Sequence, residues 1–237
     1  MEDGRWKVHE AHISACRASR PDIIVIETVL GFPVETIARR YGYSEFRWAI
    51  LDPRDFGLPI GRPRIYLVLT GERVKWRTDT SLADLLALLG CHVVMDSLRF
   101  FERPCPASLR KLSVSEEQRL GATIATARGS KAAVIDVSQS EKRPICSLLD
   151  GSLPTFRTTS TLWAPKMQEF ISGLQMLRAM GFPVCRADAN RCGVKEVCWE
   201  ELAFTESELT ALAGNGMHVR CVAAVLLVVA LFTEKAS

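Results

Sequence analysis

One segment in the first third of the chain constrains the fold more than any other. Residues 52–66 form a turn rich in Gly and Pro that leads into an apolar strand at 65–69. Arg62 and Arg64 precede this strand at i, i+2 spacing, so alternation along a strand predicts that both point to one side of the sheet. A guanidinium group is always charged and fork-shaped, which suits phosphate, carboxylate or base oxygens. The alternative is a basic strand edge that discourages edge pairing.

A second segment places a carboxyl group at the end of a strand. Four apolar residues at 23–26 run directly into Glu27, and a turn follows. A continuous apolar run of this length is typical of a buried, parallel strand. Ligands bind outside the carboxyl ends of strands in open α/β sheets. A half-desolvated Glu27 there could hold a proton and act as a general acid, or it could cap the helix that follows.

A third segment lies near the end of the chain. Gly214, Asn215 and Gly216 come shortly before an apolar stretch that continues to residue 232. This pattern predicts a helix start, where backbone amides point at a small polar ligand.

In this order and spacing, the three segments resemble the C-terminal part of the cytosine-5 DNA methyltransferase family. Glu27-Thr28-Val29 is similar to the family's Glu-Asn-Val, and Gly214-Asn215-Gly216 to its closing Gly-Asn motif. Residues 55–66 resemble its Gly-hydrophobic-Pro-Gln-x-Arg-x-Arg motif, with Ile60 in place of Gln. A helix ending in Gly-Phe-Pro at 181–183 also resembles the family. The likeness runs from about residue 21 to 232, and the middle, 72–152, corresponds to the variable target-recognition region.

Two motifs of that family are missing from this sequence. Its glycine-rich cofactor loop and its Pro-Cys-Gln loop, whose cysteine attacks cytosine, should both precede Glu27. The 26 residues before Glu27 contain neither. Cys105 follows Pro104, but it lies in the variable region and would require a permuted domain. The chain therefore resembles half of a methyltransferase.

The resemblance implies specific roles for five residues. In the family, a methyl group passes from S-adenosylmethionine to C5 of a flipped cytosine. Glu27 would hydrogen-bond and protonate the base at N3, and Arg64 would approach its O2 oxygen. Arg62 would hold a backbone phosphate. Asn215 and Gly216 would line the cofactor pocket.

Composition and charge are those of a soluble intracellular domain, nuclear in a eukaryote. The chain has 48% hydrophobic and 24% charged residues, which is globular rather than disordered. Residues 96–143 contain nine basic and six acidic residues, which would suit phosphates of DNA, or of RNA, or form only a solvated surface. Residues 221–232 are too few to span a bilayer. The spacing of the cysteines at 185, 192 and 198 fits no zinc site.

The predicted fold is α/β. Helices near 5–19 and 33–41 and strands near 23–27, 44–51 and 64–70 correspond to the last three strands of a Rossmann-like S-adenosylmethionine-dependent methyltransferase sheet, whose final pair is antiparallel. Three segments are expected: 1–71 for the sheet, 72–152 for a small target-recognition lobe, and 153–237 returning to the sheet. Such a remnant exposes a strand edge, which predicts low stability, self-association or a partner chain that supplies the missing strands.

Three functional hypotheses follow from these patterns. The chain is part of an active cytosine-5 methyltransferase, completed by another segment or chain. Alternatively, it is a non-catalytic paralogue that binds nucleic acid or another methyltransferase. The third hypothesis is an unrelated α/β protein. The sequence leaves open whether DNA or a transfer RNA is the target.

Overall fold

The computed structural model describes residues 4–43, 45–91, 96–101, 110–126, 134–139, 151–195, 197–199 and 201–236. The helices are α1 Gly4–Ser19, α2 Val34–Tyr41, α3 Leu82–Ala87, α4 Val114–Thr126, α5 Gly173–Ala179, α6 Arg186–Cys192, α7 Glu206–Asn215 and α8 Val219–Phe232. The strands are β1 Ile23–Thr28, β2 Glu45–Leu51, β3 Arg64–Thr70, β4 Val74–Trp76, β5 Ile135–Asp136, β6 Leu162–Ala164, β7 Glu169–Phe170 and β8 Thr233–Lys235. Short 3-10 turns lie at Pro53–Asp55 and Ser97–Phe100.

The chain divides into two compact units. Unit 1 contains residues 1–51, 63–90 and 223–237, and unit 2 contains 52–62 and 91–222. Residues 72–90 thus lie in the first unit and residues 153–222 in the second. Residues 223–237 lie in the unit that contains β1–β3.

Unit 1 is built on a three-stranded sheet in the order β1-β3-β2. Both outer strands run antiparallel to β3, with Glu27 opposite Tyr66 and Leu51 opposite Arg64. The predicted antiparallel pairing of the strands near 44–51 and 64–70 is confirmed. The sequence predicts that β1 is a parallel strand. Among the described residues β1 pairs only with β3, and this pairing is antiparallel, so the prediction is wrong for this pair.

The continuous apolar runs of β1 and β3 are divided between the two faces of the sheet by the alternation of a strand. Ile24, Ile26 and Leu67 lie on the face that packs against α1 and α2, in a core that also contains Ile13 and Ile37. Burial of large side chains such as these contributes roughly 1.5–3 kcal/mol each. This core fixes the register of β1, so it also fixes the direction of Glu27 on the opposite face.

The end of the chain closes unit 1. β8 pairs antiparallel with β4, with Trp76 opposite Thr233. One helical run, Glu206–Phe232, is by length and composition apolar enough to cross a membrane. It is divided at 216–218 into α7 and α8, of 10 and 14 residues, each shorter than the roughly 20 that span a bilayer. Val225 and Val228 of α8 are buried, whereas Leu226 and Leu231 are exposed, so the helix packs on one side.

Unit 2 has a larger core with a small sheet in the order β5-β6-β7. Leu58 and Ile60 from the turn before β3 are fully inside this core, together with Phe156 and Met176. Ile60 also forms a bridge with Leu153. Packing in the core of unit 2 therefore accounts for an apolar residue at position 60.

Candidate functional site

Glu27 and Arg64 form an ion pair in unit 1. The Arg64 Nε atom lies 3.8 Å from Glu27 Oε1, and the two side chains are only 18% and 10% exposed. The register explains the contact: Glu27 lies opposite Tyr66, and Arg64 is two residues earlier on the same face of β3. Arg64 also donates to the Pro63 carbonyl at 2.9 Å. The sheet thus brings together an acid and a guanidinium at the carboxyl end of β1.

The turn that follows Glu27 is exposed, and the described residues do not cover it. Val29 is 54% exposed and Leu30 is 48% exposed. The ion pair is therefore next to an apolar, accessible turn.

Arg62 lies elsewhere and is almost completely buried in unit 2, at 3% exposure. Its Nη1 donates to the Phe156 carbonyl at 3.1 Å. Its Nη2 donates to the carbonyls of Gly214 and Gly216 at 2.9 and 3.0 Å. A guanidinium committed to three carbonyl oxygens inside a protein cannot reach a nucleic-acid phosphate. The phosphate role expected for Arg62 is therefore not supported, and the residue instead joins three distant parts of the chain.

The turn before Arg62 is held by a buried carboxylate. Asp52 caps the Pro53–Asp55 turn in a reciprocal capping box with Asp55. The same Asp52 side chain accepts from the Arg62 backbone at 3.4 Å and from the Arg54 guanidinium at 2.8 Å. Asp52 thus fixes the loop that delivers Arg62 to the interior, a role that the sequence analysis missed.

The Gly-Asn-Gly segment ends a helix rather than starting one. Asn215 is the last residue of α7, and Gly216 donates its N–H to the Leu212 carbonyl at 2.7 Å. α8 begins three residues later. Because the amide and the carbonyl of Gly216 are both engaged, the exposed side chain of Asn215 is the group in this segment that can meet a ligand.

Gly214 is required by close packing, which predicts a strong effect of Gly214→Ala. A Cβ at this position would lie 2.3 Å from the Thr158 nitrogen and 2.4 Å from the Arg157 carbonyl carbon, and backbone atoms cannot move aside. We expect unit 2 to lose about 3 kcal/mol or more of stability, measured by urea unfolding. Gly121→Ala in α4 is the matched control, because its Cβ meets open space, so a loss there of the same size would contradict the packing argument.

His218 is a buried titratable group that no sequence pattern singled out. It is 1% exposed and lies between the Gly-Asn-Gly segment and α8. Burial lowers the pKa of His218 to about 4. The positive charge of Arg62 lowers this pKa further, whereas a hydrogen bond with the Ala179 backbone raises it. The imidazole is therefore neutral at physiological pH.

This burial predicts that unit 2 loses stability as the pH falls from about 6.5 to about 4. Between these pH values His218 is protonated in the unfolded chain but neutral in the folded chain. Acid therefore stabilises the unfolded state relative to the folded state. The difference between an unfolded pKa of 6.5 and about 4 corresponds to roughly 3 kcal/mol. Urea unfolding of wild type and His218→Gln at several pH values tests this. The variant should show a flatter profile, whereas His9→Gln on α1 should keep most of the slope. An unchanged slope in His218→Gln would contradict the assignment.

The basic segment 96–143 is described only in part. Arg103, Arg128, Lys131, Lys142 and Arg143 lie outside the described residues, as does Cys105. Arg110 forms an ion pair with the buried Glu116 and lies 4.4 Å from the Phe170 ring centre. The hydrogen bonds from Arg110 lower the pKa of Glu116 to about 2. Arg110 is thus used within unit 2, and a phosphate role for the segment stays a prediction.

The remaining clusters of polar residues have structural partners. In the part of the chain that the structure describes, no group of three or more His, Cys, Asp or Glu side chains could hold a metal ion. The Cys185 thiol donates to Asp188, which also binds Arg178 at 2.9 Å. Cys16 is buried beside His12, and burial raises the pKa of its thiol. A nucleophilic thiolate at Cys16 is therefore disfavoured.

Unit 1 also has an open cavity of about 1020 Å³ at the end of the sheet opposite to Glu27. The carbonyl ends of α1 and α2 both border it. The Arg17 side chain donates to the Arg40 carbonyl, and Arg73 pairs with Asp22 at 2.7 Å. Arg17 and Arg73 thus balance the partial negative charge of a helix C-terminus and the charge of a carboxylate. These cations are therefore not available to an anionic ligand in the cavity.

Comparison with known proteins identifies the fold. No family model and no curated protein sequence matches the chain. Among solved structures, the chain is similar to the S. pombe Dnmt2 methyltransferase (TM-score 0.58, 18% identity, 89% of this chain and 66% of that one). It is also similar to the Entamoeba histolytica methyltransferase EhMeth (0.51, 16%, 88% and 62%) and to a Spodoptera frugiperda DNMT2 mutant (0.51, 15%, 92% and 69%).

These similarities show an α/β fold like that of S-adenosylmethionine-dependent methyltransferases. Nearly all of this chain aligns in each case, yet the alignment spans only about two thirds of the length of the matched chains. About one third of the matched fold therefore has no counterpart in this sequence.

Proposed function

We propose that this protein takes part in methyl transfer from S-adenosylmethionine to C5 of cytosine in a nucleic acid. The observation that carries the proposal is the largely buried Glu27–Arg64 pair at the end of β1, within a methyltransferase-type fold. A carboxyl group and a fixed guanidinium offer one proton donor and one oxygen-binding fork to the edge of a base.

The two side chains have complementary tasks in this reaction. Addition of a thiolate to C6 places negative charge on the cytosine ring. Once Arg64 has turned from Glu27 to the base oxygen, the Glu27 carboxylate can take up a proton from water and donate it to N3, which relieves that charge. Arg64 donates to the O2 oxygen and holds the base against the carboxyl group. Both interactions strengthen as charge develops, so they favour the transition state over the bound base.

The nucleophile and the cofactor site are not provided by the described residues. Cys16 and Cys221 are buried, and the sequence before Glu27 contains no Pro-Cys-Gln loop. For S-adenosylmethionine, Gly216 has its amide and carbonyl engaged, which leaves the Asn215 side chain as a single polar group. These residues alone do not fit the cofactor. The second candidate, a non-catalytic nucleic-acid-binding or methyltransferase-partner paralogue, rests on the same observation.

The test compares the chain alone with the chain joined to a methyltransferase segment that carries the Pro-Cys-Gln and glycine-rich loops. Labelled S-adenosylmethionine is supplied with cytosine-rich duplex DNA or with transfer RNA. We expect no incorporation from the chain alone and clear incorporation from the joined protein. The substrate that is labelled identifies the target. If the joined protein is folded but incorporates no label, the non-catalytic paralogue is favoured. If the chain alone is active and Cys105→Ser abolishes that activity, the catalytic site is permuted.

A further inference from the structure

A thiol, an imidazole and a phenol meet where α1 packs against α2. His12 and Cys16 are four residues apart on α1, so their side chains lie on the same face of the helix. The Cys16 sulfur is 3.7 Å from His12 Nε2 and 4.0 Å from Nδ1. The hydroxyl of Tyr41, the last residue of α2, is 2.6 Å from His12 Nδ1. The proposed methyl transfer uses none of these three residues.

The phenol sets the role of each imidazole nitrogen. A neutral imidazole has one N–H donor and one acceptor nitrogen, so the hydrogen bond at one nitrogen decides what the other can do. In the tautomer with its proton on Nδ1, His12 donates to the Tyr41 oxygen, and the lone pair of Nε2 is directed at the Cys16 thiol. Burial raises the pKa of Tyr41 to about 12, so the phenol itself stays protonated. The three groups then have the order of nucleophile, base and orienting group.

A small molecule can approach this cluster through the open cavity in unit 1. Cys16 and Tyr41 both line that cavity, whose volume of about 1020 Å³ is enough for a small organic ligand. Its cations Arg17 and Arg73 are engaged with a carbonyl and a carboxylate, so the cavity suits a ligand without net negative charge. The His12 side chain is exposed, so a proton on its imidazole exchanges with water.

Without a base, Cys16 would react slowly. Its side chain is only 8% exposed, and burial raises the pKa of its thiol. Because the thiolate is the reactive form, both effects lower the rate of attack on an electrophile. A base in contact with the thiol removes this obstacle, since the proton then leaves while the new bond to sulfur forms.

We propose that Cys16 is a modification site that reacts with a low-molecular-weight disulfide without net negative charge, with His12 as general base and Tyr41 as positioning residue. The Cys16 S–H proton passes to His12 Nε2 while the sulfur attacks one sulfur of the disulfide. The S–S bond of the reagent breaks, and its other sulfur leaves with the electron pair and takes the proton from His12. Cys16 is thereby oxidised to a mixed disulfide, and half of the reagent is reduced to a thiol. The inference does not depend on the proposed methyl transfer.

The experiment treats the folded full chain with hydroxyethyl disulfide at neutral pH and follows each cysteine by mass spectrometry of its peptides. Cys91 is an exposed thiol and is the internal reference. We expect Cys16 to be modified at least as fast as Cys91, although it is buried. His12→Gln should slow Cys16 by about tenfold or more and leave Cys91 unchanged, with an unchanged melting temperature. His9→Gln on the same helix is the matched control and should leave both rates unchanged.

Two further measurements separate base catalysis from packing. Free imidazole added to His12→Ala should restore part of the Cys16 rate, in proportion to its concentration, without an equal gain at Cys91. Tyr41→Phe removes only the hydroxyl and should slow Cys16 by about threefold or more in the wild-type background but not in His12→Gln, because the phenol acts through the imidazole. Equal slowing in both backgrounds would contradict the positioning role of Tyr41.

The rate at Cys16 decides the proposal. If Cys16 stays unmodified while Cys91 reacts completely, the cavity does not admit the disulfide and the proposal is wrong. The proposal is also overturned if wild type and His12→Gln react equally fast at Cys16, or if imidazole restores nothing in His12→Ala.

Discussion

Glu27→Gln is expected to reduce methyl transfer by about 10²–10⁴-fold in the protein completed with the nucleophile and cofactor loops. The amide keeps the shape and the hydrogen-bonding reach of the side chain but cannot donate an acidic proton to N3. Labelled methyl incorporation, measured as kcat at saturating substrate, reports this loss. Because the effect is on the transition state, the KM for nucleic acid should change much less than kcat.

Arg64 gives a companion measurement in the same assay. Arg64→Ala should also lower kcat, since the base oxygen loses its donor, and Arg64→Lys should restore little because an ammonium group lacks the guanidinium fork. Urea unfolding of each variant separates this effect from a loss of folded protein.

A matched control comes from the same sheet. Glu45 and Arg47 form an ion pair on β2 at 3.0 Å, so Glu45→Gln removes a strand carboxylate without touching the Glu27 end of β1. Its activity should stay within a factor of two or three of wild type, because the Glu45 side chain is 42% exposed and a pair screened by solvent contributes only about 0–1 kcal/mol. If Glu27→Gln and Glu45→Gln behave alike, Glu27 has a structural role and the proposed acid lies elsewhere.

The contact between Glu27 and Arg64 is not itself predicted from the sequence. The two strands are recognisable there as apolar runs, and within a strand the face on which each side chain lies follows from period two. The contact between the two side chains also depends on the pairing of β1 with β3, which is long-range information that neither strand contains. The resemblance to a known family supplied the motifs but not their contact.

Arg62 shows where the same reasoning stops. The i, i+2 rule holds only inside a strand, and β3 begins at Arg64. Arg62 lies in the irregular segment before it, where side-chain direction depends on tertiary contacts. Its three acceptors are 94 to 154 residues away in the sequence. No local pattern contains that information.

The end of α7 was mispredicted for a related reason. Glycine and asparagine are common at helix C-termini as well as before helices, and the sequence alone gave no preference. Residues 52–62 were grouped with the sheet for the same lack of long-range information. Leu58 and Ile60 instead pack in the core of unit 2, although β3 of unit 1 follows them directly in the sequence.

Arg62→Ala is expected to destabilise unit 2 by about 3 kcal/mol. The change leaves the carbonyls of Phe156, Gly214 and Gly216 without their donor, and each buried acceptor left unsatisfied costs on the order of 1–3 kcal/mol, partly recovered through water. Arg62→Lys should not rescue stability, because one ammonium group cannot reproduce the planar fork that spans three acceptors. Urea unfolding measures both variants.

The matched control for Arg62 is Arg54→Ala, which removes an arginine that is half exposed and paired with Asp52 at 2.8 Å. Because solvent screens such a pair, its loss should cost less than about 1 kcal/mol. A second measurement separates the structural role of Arg62 from the phosphate role. If folded Arg62→Ala binds duplex DNA, the slope of log K against log salt should equal that of wild type. A slope smaller by about 0.9 would mean that one phosphate contact has been lost. With stability unchanged, that result would restore the phosphate role and contradict the buried network.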